Sequence, residues 1–262
     1  MILSSVAAKG SVADDPVWAE ITWLLDTECT AVFERLRVLL RDCSIALLEA
    51  DEQTGAPLRC GSDDEGLMVA AVLGASELTA MRIQLTLPKQ DLPYSAMLAG
   101  GQKFSLPLPA LVTMKNRVAQ AIAALNQGHA SLKIALATVR QVLSLVSDAI
   151  AAIALRSPPE HTPRQVSSIA PTLTAQMQPA PPSNLTLDIF VAGSPPRVYF
   201  SATMLRPADG SVLETRQVSV ATDSLERRME YLEAAAREAR GLLGKLETLN
   251  ELADEIQPPH RN

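Results

Sequence analysis

Aromatic side chains make up only 3% of this 262-residue chain, a scarcity that removes the stacking platforms on which RNA recognition rests. Lys and Arg are nowhere clustered and the net charge is -6, so the usual electrostatic footing for a phosphate backbone or an anionic membrane is missing too. Lys133, Arg140 and Asp148 interrupt the most apolar region, and a transmembrane helix is not expected. Residues 1–10 lack the charged flank and long apolar run of a signal peptide. Cys29, Cys43 and Cys60 are odd in number and form no close pair, which argues against a disulfide framework and a CxxC metal site and in favour of reduced thiols. The expectation is a cytosolic protein.

What the chain does have is aliphatic mass. Hydrophobic residues reach 47% and charged residues 20%, enough for a sizeable core in one large domain or two small ones. Between Leu132 and Ile153 the residues Leu132, Leu136, Val139, Leu143, Val146, Ile150 and Ile153 recur at alternating steps of four and three, the stripe of a coiled-coil helix. From Pro16 to about Glu49, Thr22, Cys29, Leu36 and Cys43 alternate with Leu25, Val32, Leu39 and Ala46 at heptad spacing. Asp14 or Asp15 ahead of Pro16 suits a helix start. A second helix from about Pro107 carries Leu111, Val118, Ile122 and Leu125 and ends at Asn126, Gln127 and Gly128, so that it must fold back antiparallel on the striped helix. A last helix runs from about Thr222 to Ile256 with Leu225, Met229, Leu232, Ala236, Ala239, Leu243 and Leu246 on one face. Asp223 and Glu226 suggest its capping box, and Gly241 and Gly244 suggest a close helix approach.

Elsewhere the period changes to two. Met81, Ile83, Leu85 and Leu87 alternate with polar residues, and Leu67–Leu73 is the natural partner strand across Gly74, Ala75 and Ser76. Leu58–Gly61 and Lys103–Leu106 are weaker strands. Alternation returns at Leu185–Val191 and Val198–Met204, followed by an Asp209-Gly210 hairpin into Val212–Val220. The predicted fold is α+β: an elongated two-lobed protein with an antiparallel four-helix bundle (16–52, 106–156 and 222–256). A small antiparallel β-domain (57–105 and 183–221) sits at one end. Both lobes are discontinuous in sequence. A Pro/Ser/Thr-rich linker covers 157–182, and 1–15 and 257–262 are flexible termini.

Chemistry is thinly supplied. His129, His161 and His260 are scattered and read as solvent-facing, and the Asp63, Asp64, Glu65 run lacks the alternating ligands of a calcium loop. Gly100, Gly101, Gln102 and Lys103 do not have the spacing of a phosphate-binding loop. No catalytic residue, cofactor site or metal site is predicted. The protein is expected not to be an enzyme.

Three stretches are similar to the Rogdi family: Glu20-Ile-Thr-Trp-Leu-Leu25 leading into Ala31-Val-Phe33; Cys60-Gly-Ser-Asp63 with the meander closing at Leu87-Pro-Lys89; and Pro179-Ala-Pro-Pro-Ser-Asn-Leu185. Val118-Ala-Gln-Ala-Ile122 resembles the family's second helix. The resemblance implies a two-lobed α and β architecture and the role of the small RAVE subunit, which promotes joining of the V-ATPase's peripheral sector to its membrane sector. It implies a large Rabconnectin-like subunit as partner, the peripheral sector indirectly, and a Skp-type adaptor. It further implies a cytoplasmic protein recruited peripherally to vacuolar and endosomal membranes. The chain departs from animal members in its Pro-rich linker and in lacking an aromatic C-terminal tail. Candidate partner-binding residues are Pro179, Pro181, Pro182, Ser183 and Asn184, because Pro-rich segments dock in grooves.

The alternative is a homodimeric coiled-coil protein built on the stripe. Heptad assignment places Leu136, Leu143 and Ile150 at a and Leu132, Val139, Val146 and Ile153 at d, whereas parallel dimers prefer branched residues at a and leucine at d. Ala135, Val142 and Ala149 at g are apolar, a width that suits a helix with several neighbours inside one chain. The expectation is a monomer in isolation.

Overall fold

The computed structural model describes residues 16–48, 56–62, 64–87, 93–98, 105–154 and 177–256. The first helical arm is α1 (Pro16–Trp23), a π-helical stretch (Leu24–Cys29) and α2 (Thr30–Leu48) in unbroken succession. Strands β1 (Ala56–Cys60), β2 (Leu67–Leu73), β3 (Glu77–Leu85), β4 (Tyr94–Leu98) and β5 (Leu106–Pro107) follow, then the hairpin of α3 (Pro109–Leu125) and α4 (Leu132–Ala154). After it come β6 (Leu185–Ala192), β7 (Arg197–Leu205), β8 (Val212–Ala221) and the long α5 (Asp223–Ile256). This is the mixed α and β class that the periodicity predicts. Asp63, the Gly100 to Lys103 stretch, His161, His260 and the start signal at Asp14 or Asp15 lie outside the described residues.

The π-helical turn corrects the register of the first helix. A π-helix bonds i to i+5 and so inserts a residue into the helical repeat. Beyond it the predicted stripe is right, with Cys29, Val32, Leu36 and Cys43 buried. Before it the face falls on Ile21 and Leu24, both 3% exposed, while Thr22 is exposed and Leu25 half-buried. A strict heptad carried through the insertion points the wrong residues inward.

Four helices share one set of neighbours: α3 packs on α4, α4 on α5, α5 on α2 and α2 on α3. Side-chain contacts fix their directions. Arg35 pairs with Glu238 at 3.0 Å and Lys245 with Glu28, so α2 and α5 run antiparallel. Arg37 donates to the Leu125 carbonyl at 3.0 Å and Thr30 meets His129, which sets α2 antiparallel to α3 as well. At the opposite ends the helices meet the strands: the Leu108 amide donates to the Ser76 carbonyl, the Gly193 amide to the Ile153 carbonyl, and Arg228 to the Ala75 carbonyl.

The strands form two antiparallel sheets, β1-β2-β3-β4 with β5 also on β3, and β6-β7-β8. In the first, Val69 opposes Ile83 and Ala71 opposes Met81, and all four are buried on one face, as period-two alternation requires. The turn after Leu73 falls at the glycine and serine that predict it. β4 is not visible in the periodicity, because its apolar signal is only Tyr94, Ala96 and Leu98. β8 lies against β1 and β2, and the junction turns on Gly66: its φ is +65°, and a Cβ there would stand 2.1 Å from Arg216 Nη1. Arg216 in turn donates to the Glu65 carbonyl at 2.7 Å.

Two local expectations are corrected. The N-cap of α5 is Thr222, whose Oγ1 accepts the Leu225 amide at 3.2 Å; this puts Glu226 one position past the place a capping box needs. A Cβ at Gly241 or Gly244 would meet nothing within 4 Å and both positions are exposed, so neither serves a close helix approach.

The striped helix α4 buries Leu136, Val139, Val146 and Ile153, but also Ala135, Val142 and Ala149, the last three at 0% exposure. Leu132, Leu143 and Ile150 are partly buried and pack at the margin of the core. The seam is thus centred between d and g, because α3 and α5 flank the helix from two sides. Ile153→Ala is expected to cost about 2–5 kcal/mol and Ile150→Ala clearly less, read from urea unfolding. Equal losses would restore the heptad-centred seam.

Candidate functional site

The predicted partner-binding segment is tied down at both ends. Met177 is 3% exposed, and Gln178 exchanges two backbone bonds with Ser95 on the outer edge of β4, at 2.9 and 2.8 Å. At the far end the Leu205 amide donates to the Asn184 carbonyl at 2.9 Å and the Asn184 side-chain amide donates to the Leu205 carbonyl. The Leu185 amide closes a turn onto the Pro182 carbonyl at 3.0 Å. Pro179 and Ser183 are exposed, while Pro181, Pro182 and Asn184 are half-buried. The five residues therefore form a strap from the β4 edge to the start of β6, with Pro179 and Ser183 facing solvent. Backbone pairing at Ser95 covers part of the sheet edge that an incoming strand would otherwise use.

The most constrained polar group is Arg228, 0% exposed on the first turns of α5. It occupies a core position of that helix, between Leu225 and Leu232, and donates from Nη1 to the Ala75 carbonyl at 3.1 Å. Its own carbonyl accepts from the Cys43 thiol at 3.8 Å. One residue thereby connects α2, α5 and the β2–β3 turn. The apolar periodicity does not single it out, although an arginine in step with the apolar face is a visible signal: such a charge is buried only when it has partners.

His129 also departs from expectation. It is not a free surface imidazole: Nε2 lies 3.0 Å from Thr30 Oγ1, and the ring stands edge-on to Phe33, centroids 5.0 Å apart at 75°. It closes the α3–α4 turn over α2. Among the described residues, no group of His, Cys, Asp and Glu is placed to hold a metal ion.

The thiols are held protonated. Burial pushes Cys29 up to about 11, with the Glu28 carboxylate adding to it, and burial takes Cys43 up to about 12 against the pull of the Arg228 guanidinium. Burial, then Glu65, brings Cys60 to about 11. Since the thiolate is the nucleophile, none is set up for nucleophilic or redox chemistry.

The family model described as Rogdi leucine zipper containing protein matches residues 20–249. No curated protein matches the chain.

Two outcomes follow from this geometry. Arg228→Met keeps the apolar stem and leaves the Ala75 carbonyl unpaired, for an expected loss of about 1–3 kcal/mol in chemical denaturation; an unchanged midpoint would remove the residue from its connecting role. For the thiols, the raised folded-state pKa values mean that stability is fully present below the ordinary value of about 8.5. It falls as pH rises towards 11 and 12, where the folded thiols at last ionise. Iodoacetamide at pH 8, followed by mass spectrometry, should leave Cys29 and Cys43 unmodified until denaturant is added. Labelling of native Cys43 at the rate of a free thiol would contradict this.

Proposed function

The chain belongs to the Rogdi leucine zipper family, and from that membership we propose that it is a non-catalytic adaptor subunit of a RAVE-type complex, promoting the joining of the V-ATPase's peripheral sector to its membrane sector. The family match over residues 20–249 carries the reading. In it, the four mutually packed helices act as a bundle, the stiff body of the adaptor, and the two sheets with the strap between β4 and β6 are presented at one end of it. The direct partner is a large Rabconnectin-like subunit, the pump's peripheral sector is reached indirectly, and a Skp-type adaptor joins the same assembly. The protein works in the cytoplasm and is recruited peripherally to vacuolar and endosomal membranes.

That α4 is a core helix and not a membrane span is part of this reading. By length and composition α4 could cross a membrane, but its apolar face is spent on α3 and α5, as in a core helix. The same packing supports a monomer in isolation, because a homodimeric zipper would need that face free.

The test is co-purification. Mixed with the large Rabconnectin-like subunit, the full chain is expected to elute as a stoichiometric complex, and to sediment as a monomer when alone. Failure to co-elute at micromolar concentrations would defeat the adaptor reading, and a dimer by sedimentation would favour the homodimeric alternative.

A further inference from the structure

The first sheet turns one face to the core and the other to solvent. Strand register sets Arg59 opposite Ala70, Ala70 opposite Arg82 and Arg82 opposite Met97, so these four residues form one row across β1, β2, β3 and β4. All four are exposed, and Met97, at 69%, is the most exposed large apolar side chain among the described residues. Side chains alternate along a strand, so the rows two residues away lie on the same face. One is Pro57, Val72 and Ala80, the other Met68, Gln84 and Ser95. Each of these is exposed or half-buried, whereas the inward neighbours Val69, Met81 and Ile83 are buried.

The charge in these rows has one sign. Arg59 and Arg82 are their charged residues, and among the described residues neither enters an ion pair. Adjacent strands lie about 4.8 Å apart, which puts the two arginine Cα atoms about 10 Å apart with only the methyl group of Ala70 between them. The guanidinium donors thus flank a gap and have no acceptor within the protein. On β3 the single carboxylate, Glu77, stands at the start of the strand and accepts from Ser105. Asp64 and Glu65 lie beyond the end of β1 in the β1–β2 turn, where Glu65 accepts from Ser62 at 3.3 Å. In a chain of net charge -6, an arginine pair without carboxylates, bordered by Met97, Met68 and Val72, is complementary to an anionic partner with an apolar side. Methionine suits such a surface because its unbranched side chain adapts to what covers it.

From this register and charge we propose that the outer face of the first sheet is a docking surface for an acidic amphipathic helix of another polypeptide. A Glu or Asp carboxylate of the partner sits over Ala70 between Arg59 and Arg82, and its apolar side chains rest on Met97, Met68 and Val72. A helix laid on an open sheet face is an ordinary two-layer packing, and arginine takes a carboxylate through two parallel N–H bonds. Strand addition at the edge is not the mode, because Gln178 already occupies Ser95 of β4. An anionic membrane is disfavoured by Asp64 and Glu65, exposed at the adjoining turn. A second copy related by a two-fold axis would set arginine against arginine. The proposal rests on the adaptor reading and gives it a surface, yet the two are tested separately. Peptide binding without co-purification of the large subunit rejects the adaptor reading alone, and co-purification without peptide binding rejects this surface alone.

The probe is a fluorescein-labelled synthetic helix with leucines on one face and glutamates along its borders, titrated with the full-length protein and read by fluorescence anisotropy. A saturable rise is expected, weakened by added salt because exposed charges are screened. A counterpart with lysines in place of the glutamates should give none. Arg59→Glu/Arg82→Glu should abolish the rise and turn the preference towards the lysine peptide. Arg237→Glu/Arg240→Glu, the same change of net charge at exposed positions of α5, should leave it unchanged. Met97→Asp should weaken binding by about tenfold, the loss of one anchor. These side chains are exposed, so the far-UV spectrum and melting point should stay as they are. No rise with the glutamate peptide, equal rises with both peptides, or equal losses in the two double variants would overturn the proposal. So would binding to phosphatidylserine vesicles that Arg59→Glu/Arg82→Glu removes, or a dimer by sedimentation that Met97→Asp dissociates.

Discussion

The antiparallel pairing of α2 with α5 is the constraint on which the rest of the molecule depends. These are the first and last long helices of the chain, and closing them brings together segments separated by almost its whole length. Every other element is threaded between them, so that both sheets and the α3–α4 hairpin fall into place only when the two arms meet. Fixing contacts so distant in sequence costs loop entropy before it returns any burial. That explains the redundancy of the seam: a continuous apolar face beneath, with ion pairs at its rim. Exposed pairs such as Arg35–Glu238 are worth little individually. Their value is in fixing direction and register, for which the apolar face alone is permissive.

Arg228 extends that closure to the strands. A guanidinium at 0% exposure would be costly without partners, and its bond to Ala75 places that partner on the β2–β3 turn. The burial of the arginine and the position of the turn therefore require each other. Gly66 plays the corresponding part between the two sheets, where Arg216 occupies the space a side chain would take. Two arginines, one enclosed and one partly so, hold the interfaces between elements that are far apart in the chain.

The heptad stripe of α4 is, in this fold, an internal seam. A stripe of period 3.5 is compatible with a partner helix from a second copy or from the same chain. The apolar residues at g already favour the second, and the packing of α4 between α3 and α5 agrees. The strap of Pro179–Asn184 is the counter-example. Its composition suits a mobile ligand for another protein's groove, while the backbone is hydrogen-bonded to β4 just before it, at Gln178, and to β7 at Asn184.

Periodicity by itself determined which segments are helices and most of those that are strands, the two strong hairpins and the antiparallel α3–α4 pair, because each of these depends on residues close together along the chain. It also placed the core face of α2 and α5 nearly residue by residue. The tertiary structure alone decided the rest. The π-helical insertion, invisible to a pattern that assumes a constant repeat, re-phased α1, turning Thr22 outwards and Ile21 and Leu24 inwards. The burial of Arg228 and the seating of His129 on Thr30 and Phe33 needed partners remote in sequence, and β4 needed a neighbour to make a weak alternation a strand. Local spacing specifies elements, whereas the choice of which face is buried belongs to whatever packs against it.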